Sequence, residues 1–197
     1  MRQLLLWSFC FSHCFQGDFL YSEIANFHGI PNIPSDPDLA IEAGTRLCEE
    51  LLEPLHRTFG HVTIRSAYRS CEVNGYGNEN GMPCARNESN YAAHIWDRRD
   101  DEGRMGATAC IVIPWFIDNH DVSEWPKLAW WVHDSLPYHS MRFFPNLAAF
   151  NLRWREEPER RVDSWVDPKG CLTKSGMDNW AGDHSEHYRG FPSLVAG

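Results

Sequence analysis

The sequence predicts an α+β domain built on an antiparallel sheet with flanking helices. Three observations carry this reading. Leu39, Ala43, Leu47, Leu51 and Leu55 recur every four residues, with Cys48, Leu52 and Phe59 beside them, which draws one buried helix face. Phe150, Leu152 and Trp154 alternate with Asn151, Arg153 and Arg155, the period of a half-buried strand. The segments run helix, strand, loop, strand, helix, strands, which is not the strand–helix alternation of a parallel sheet. A chain of 197 residues, 43% hydrophobic with 9 Trp and 11 Phe, can build one core without metal or disulfide staples, and it is too aromatic to be disordered.

Each element has its own signal. The first helix starts at Ser35-Asp36-Pro37-Asp38, where Ser or Asp caps and Pro needs no N–H. Pro54 bends or ends its last turn and Gly60 stops it. Residues 61–65 read as a strand. Residues 70–90, rich in Gly and Asn, read as a long irregular loop over a cleft. Residues 107–115 read as a buried strand, and Ser123-Glu124-Trp125-Pro126 opens a second helix to about Leu136 with Leu128, Trp131 and Val132 inward. Residues 141–145, 149–154 and 161–166 are further strands. The domain thus spans residues 15–166. A Gly-, Asp- and His-rich arm, 167–197, follows.

Residues 1–14 leave two readings open. Met1-Arg2 before Leu4-Leu5-Leu6 has the outline of a short secretory signal, which places the protein in the cell envelope or periplasm. The absence of a small-x-small cleavage site favours a strand or loop packed on the domain, which leaves a cytoplasmic protein. No apolar run is long enough to span a bilayer. The net charge of −9 argues against nucleic acid as a partner, since no basic stripe exceeds Glu159-Arg160-Arg161. Cys10, Cys14, Cys48, Cys71, Cys84, Cys110 and Cys171 form no CxxC pair. Cys71 and Cys84 bracket the long loop, and they pair in an oxidising compartment or stay free in a reducing one.

The chemistry-bearing residues cluster in three stretches. Ser66-Ala67-Tyr68-Arg69-Ser70 ends a strand, where an Arg can aim its fork at a carboxylate or tie down the loop. His94 stands beside Asp97, Asp100 and Asp101, which either supply oxygen ligands or, interleaved with Arg98, Arg99 and Arg104, form a solvated tip. Asp183-His184-Ser185-Glu186-His187 is the densest ligand cluster, or a polar tail.

Taken in order, these stretches resemble the zinc D-alanyl-D-alanine carboxypeptidases and related endolysins, which have the hedgehog/DD-peptidase fold. The chain reads Ser66-Ala67-Tyr68-Arg69-Ser70-Cys71-Glu72-Val73-Asn74 where that family has Ser-Gly-Tyr-Arg-Ser and then Val-Asn. His94 is followed, after an insertion, by Gly106-Ala107-Thr108-Ala109-Cys110-Ile111, similar to the family's Gly-x-Ala strand. Met141-Arg142-Phe143-Phe144-Pro145 and Phe150-Asn151-Leu152-Arg153 match its next strands, and Phe19-Leu20-Tyr21-Ser22-Glu23-Ile24 its opening segment.

The resemblance implies metal-assisted hydrolysis of peptide bonds in peptidoglycan stem peptides. Arg69 would act on the developing oxyanion, and Tyr68, Arg69 and Asn151 would bind substrate. Zinc ligands fall on His94, Cys110 and Asn151. Thiolate binds zinc well, whereas a neutral amide is a poor ligand. Asp97 (or Asp100 or Asp101) is a candidate replacement, so the candidate metal set is His94, Cys110 and Asp97. His133, His139, His184 and His187 are candidates for a second imidazole, and Glu156 or Glu157 for the base. The rival expectation is a relative without metal or catalysis that binds a carboxylate-ended peptide or a protein partner. A Cys110–His94 nucleophile pair is a third, opposed by the apolar run around Cys110.

Overall fold

The computed structural model describes residues 16–195, so both readings of residues 1–14 lie outside the described residues. Helices α1 (Gln16–Leu20) and α2 (Glu23–His28) lead to α3 (Pro37–Leu47). Asp36 caps α3 by accepting a hydrogen bond from the Leu39 N–H at 3.1 Å. A π-helical turn, Cys48–Leu52, then widens the helix before α4 (Glu53–Phe59). Pro54 therefore neither bends nor ends the run. The wide turn places it in the first turn of α4, where its missing N–H costs little. Gly60, at φ 81°, closes the helix. Leu47, Leu51 and Leu55 are fully buried, each worth about 1.5–3 kcal/mol.

The six strands are β1 (Thr63–Ser66), β2 (Gly106–Val112), β3 (Ser140–Phe143), β4 (Phe150–Arg155), β5 (Arg161–Ser164) and β6 (Gly170–Thr173). They form one open sheet in the order β1-β2-β4-β3-β5-β6, antiparallel except where β3 meets β5. Between β1 and β2 lie α5 (Cys71–Glu79) and α6 (Asn87–Asn90). Between β2 and β3 lie α7 (Pro114–Asn119), a 3-10 turn (Val122–Glu124) and α8 (Trp125–Ser135). The fold is mixed α+β.

The strand periodicity divides the sheet into two faces. Ala107, Ala109, Ile111, Met141, Phe143, Phe150, Leu152 and Trp154 pack inward against α3, α4 and α8. Their partners in alternation, Thr108, Cys110, Arg142, Asn151, Arg153, Arg155, Arg161 and Asp163, stand on the opposite face. Asn151 faces Cys110 on one side and Arg142 on the other, and Arg142 faces Asp163.

Three expectations change. The stretch 70–90 is largely helical, because the Ser70 hydroxyl caps α5 at the Val73 N–H. Gly77 belongs to that helix since a Cβ there would lie 2.6 Å from the Cys84 sulfur. Cys71 and Cys84 are free thiols. The strand expected to reach residue 115 ends at Val112, and Pro114 starts α7. The arm after residue 167 supplies β6, and the Trp131 indole N–H donates to Pro192 O at 2.9 Å.

Candidate functional site around His94

Residues 91–98 form a tight turn against β2 and β4, with Trp96 buried in the core and its indole N–H donating to Thr108 O. Gly106 makes this approach possible, since a Cβ there would meet Ala92 O at 2.4 Å. Arg153, reaching up from β4, clasps the turn: its Nε and Nη2 donate to Ala92 O at 3.0 and 2.7 Å, and Nη2 also to Tyr91 O at 3.3 Å. Ala92 sits at φ 50°, a strained value for a residue with a Cβ.

His94 is buried in this turn. Its Nδ1 lies 2.8 Å from Ala67 O. A carbonyl only accepts, so Nδ1 carries the hydrogen and Nε2 presents a lone pair. Burial pushes the ring down to about 3; Arg69 and Arg153 push the same way, and the contacts with Ala67 O and the Asn151 amide resist. The Arg69 N–H donates to His94 O at 2.8 Å, tying the end of β1 to the turn. The Arg69 Nη1 donates to the Cys84 sulfur at 2.8 Å, while its buried Nε has no acceptor. Burial pushes the Cys110 thiol up to about 11, although Arg65 and Arg69 pull it down. Burial brings Arg153 down to about 10, still a cation at neutral pH.

The structure thus brings His94, Arg69, Asn151 and Cys110 into one half-buried patch, and adds Arg65 and Arg153. Among the described residues no ion pair engages Arg65, Arg69 or Arg153. The patch is a cationic site around a neutral imidazole and an un-ionised thiol, with Glu159 acting on Arg153 at its margin. Its hydrogen-bond donors suit an anion.

Two expected site residues are corrected. Tyr68 is fully buried, its ring 5.9 Å from Trp96, so it packs the core and does not touch substrate. Asp97 is engaged elsewhere: its Oδ2 accepts from the Ser35 N–H and hydroxyl, both at 2.8 Å, and so anchors the segment before α3. His94, Cys110 and Asp97 therefore do not form a metal set. Among the described residues no three His, Cys, Asp or Glu side chains are grouped to hold a metal ion. A zinc ion does not fit the patch, where a high-pKa thiol and guanidinium groups replace the anionic donors it needs.

The alternative ligands have other partners. Asp100 Oδ1 accepts from the N–H groups of Glu102 and Arg104, and its carboxylate pairs with Arg155. His133 bonds the Tyr138 hydroxyl and Trp180 O, and His139 lies 3.0 Å from Glu157 O. His184 pairs with Asp134 at 2.7 Å and stacks on Trp130, which His187 also faces. Glu156 accepts from the Met105 N–H, and Glu157 pairs with Arg104. Two surface hollows, of about 240 and 340 Å³, lie elsewhere, lined by residues such as Glu50, Trp154 and Arg155 in one and Asp134, Arg160 and Asp183 in the other. Arg155 and Asp134 are already in ion pairs there, whereas Arg69 of the His94 patch is in none among the described residues.

Arg153 and Arg65 were missed as site residues in the sequence. The signal for Arg153 was present: it lies two residues from Asn151 on one strand and so on the same face. No family model, curated protein or solved structure matches the chain.

Proposed function

We propose that the chain is a metal-independent relative of the zinc D-alanyl-D-alanine carboxypeptidases, with the hedgehog/DD-peptidase fold, that binds a carboxylate-ended peptide such as a peptidoglycan stem peptide. The observation that carries this is the surplus of guanidinium groups around His94, those of Arg65, Arg69 and Arg153, none of which is in an ion pair among the described residues. Such a patch repels a divalent cation and attracts an anion. Arg69 has no carboxylate partner of its own among the described residues, and a guanidinium so placed attracts a peptide carboxylate. His94, held neutral between Ala67 O and the Asn151 side chain, fixes the turn beside these guanidinium groups.

The test is calorimetric titration with a peptide ending in D-alanyl-D-alanine, against the same peptide amidated at its C-terminus. The free acid should bind and the amide should not. Arg69→Ala should weaken binding at least about tenfold, and a chelator should change nothing. Equal affinity for acid and amide overturns the reading. So does stoichiometric zinc in the purified protein that is lost in His94→Ala, which would restore the metallopeptidase.

A further inference from the structure

The cationic patch does not stop at Asn151. The register places Arg142 of β3 directly beside Asn151, on the same outer face and one strand further from His94. Arg142 is about half exposed and its guanidinium lies 5.7 Å from the centre of the Trp165 ring. Trp165 is 56% exposed, although it is among the largest side chains, and is propped edge-on by Phe144 at 5.2 Å. The only acid next to Arg142 in this register row, Asp163, is gripped by Arg161 through two bonds of 2.8 and 3.0 Å. Arg142 reaches Asp163 only at 3.7 Å. Two guanidinium groups thus share one carboxylate, and Arg142 keeps donors to spare. Trp and Arg are among the side chains enriched at binding hot spots, and a guanidinium over a Trp face is attracted to it.

From these placements we infer that Arg142 and Trp165 form a second anionic subsite, which selects extended peptides carrying an acidic side chain two or three residues before the terminal carboxylate. The spacing follows from the sheet. Arg142 stands one strand from Asn151 and two from Cys110. Strands lie about 4.8 Å apart, so the subsite is about 5–10 Å from the His94 patch. An extended peptide advances about 3.3 Å per residue and covers that distance in two or three residues. Charge complementarity sets the occupant: the row offers guanidinium donors and one aromatic face, which fit a carboxylate on a short aliphatic stem.

This inference rests on the carboxylate-binding reading, and the experiment separates the two. Three peptides with a free C-terminal carboxylate are titrated: one with neutral side chains, one with glutamate two residues before the terminal residue, and one with glutamate three before it. One glutamate peptide should bind about tenfold tighter than the neutral one. Arg142→Gln should erase that gain and leave the neutral peptide unchanged, while Trp165→Ala should reduce the gain. Binding of all three with equal affinity, lost in Arg69→Ala, overturns the second subsite and leaves the first reading standing. Binding of none overturns both. Concentration-dependent self-association in sedimentation, abolished by Arg142→Gln, overturns the peptide subsite in favour of a second copy of this acidic chain.

Discussion

Lowering the pH should destabilise the protein through His94 in a calculable way. The ring has an ordinary value of 6.5 and is held down to about 3 by burial beside Arg69 and Arg153. Between those values the unfolded chain takes up a proton that the native state refuses. The stabilising contribution is therefore complete above 6.5 and erodes as the pH falls toward 3. The slope approaches about 1.4 kcal/mol per pH unit, so the loss at about pH 5 is about 2 kcal/mol. For a chain of this size that corresponds to about 4–8 °C in Tm. His133 and His139 are also pushed down by burial, so their effects add to it. The comparison with His94→Asn isolates the ring, because the Asn side-chain amide can still donate to Ala67 O. Thermal unfolding of both proteins from about pH 7 to pH 5 should give a shallower decline in the variant, by about 2 kcal/mol. Parallel declines would refute the buried, neutral imidazole and, with it, the electrostatics of the proposed site.

Further perturbations test the surrounding framework. Gly106→Ala should cost more than about 3 kcal/mol, since its Cβ meets two backbone oxygens, Ala92 O at 2.4 Å and Trp154 O at 2.9 Å; urea unfolding measures it. Gly44→Ala meets the Trp96 ring at 2.8 Å, a side chain that can shift, and should cost less in the same assay. Asp97→Ala should cost about 2–4 kcal/mol by leaving the Ser35 N–H and hydroxyl unpaired, with no change in peptide affinity. Leu147 and Ala148 sit at φ 59° and 45° in the β3–β4 turn, so the double change Leu147→Asn, Ala148→Gly should raise stability by about 1–2 kcal/mol in calorimetry.

The elements that depend on local pattern were legible in the sequence. The Asp36 cap, the apolar stripe of α3 and α4, and the alternation of β4 all act between near neighbours. Cys110 and Asn151 were set together only by the family resemblance; the β2–β4 register that places them opposite each other is not written in local alternation. What escaped were partnerships between distant residues. Asp97 answers Ser35 across 62 positions, and Arg153 answers Ala92 across 61. Nothing in the local sequence distinguishes an aspartate that anchors a turn from one that binds a metal. The Gly- and Asn-rich stretch misled because Gly weakens a helix in isolation, whereas here Gly77 admits Cys84 against α5 and tertiary packing outweighs propensity. The last strand escaped because Gly170–Thr173 is only four residues long, opens on Gly and is largely exposed, so it carries no alternation to read.

That last strand has a consequence for handling the protein. β6 hydrogen-bonds along β5, a strand whose other side is occupied by β3. Trimming the chain before Gly170 would strip the outer flank of β5 and bare a row of unpaired amides and carbonyls. Exposed rows of this kind recruit strands from neighbouring molecules. Shortened versions should precipitate or swap segments, so binding measurements belong on a chain that keeps Gly170–Thr173.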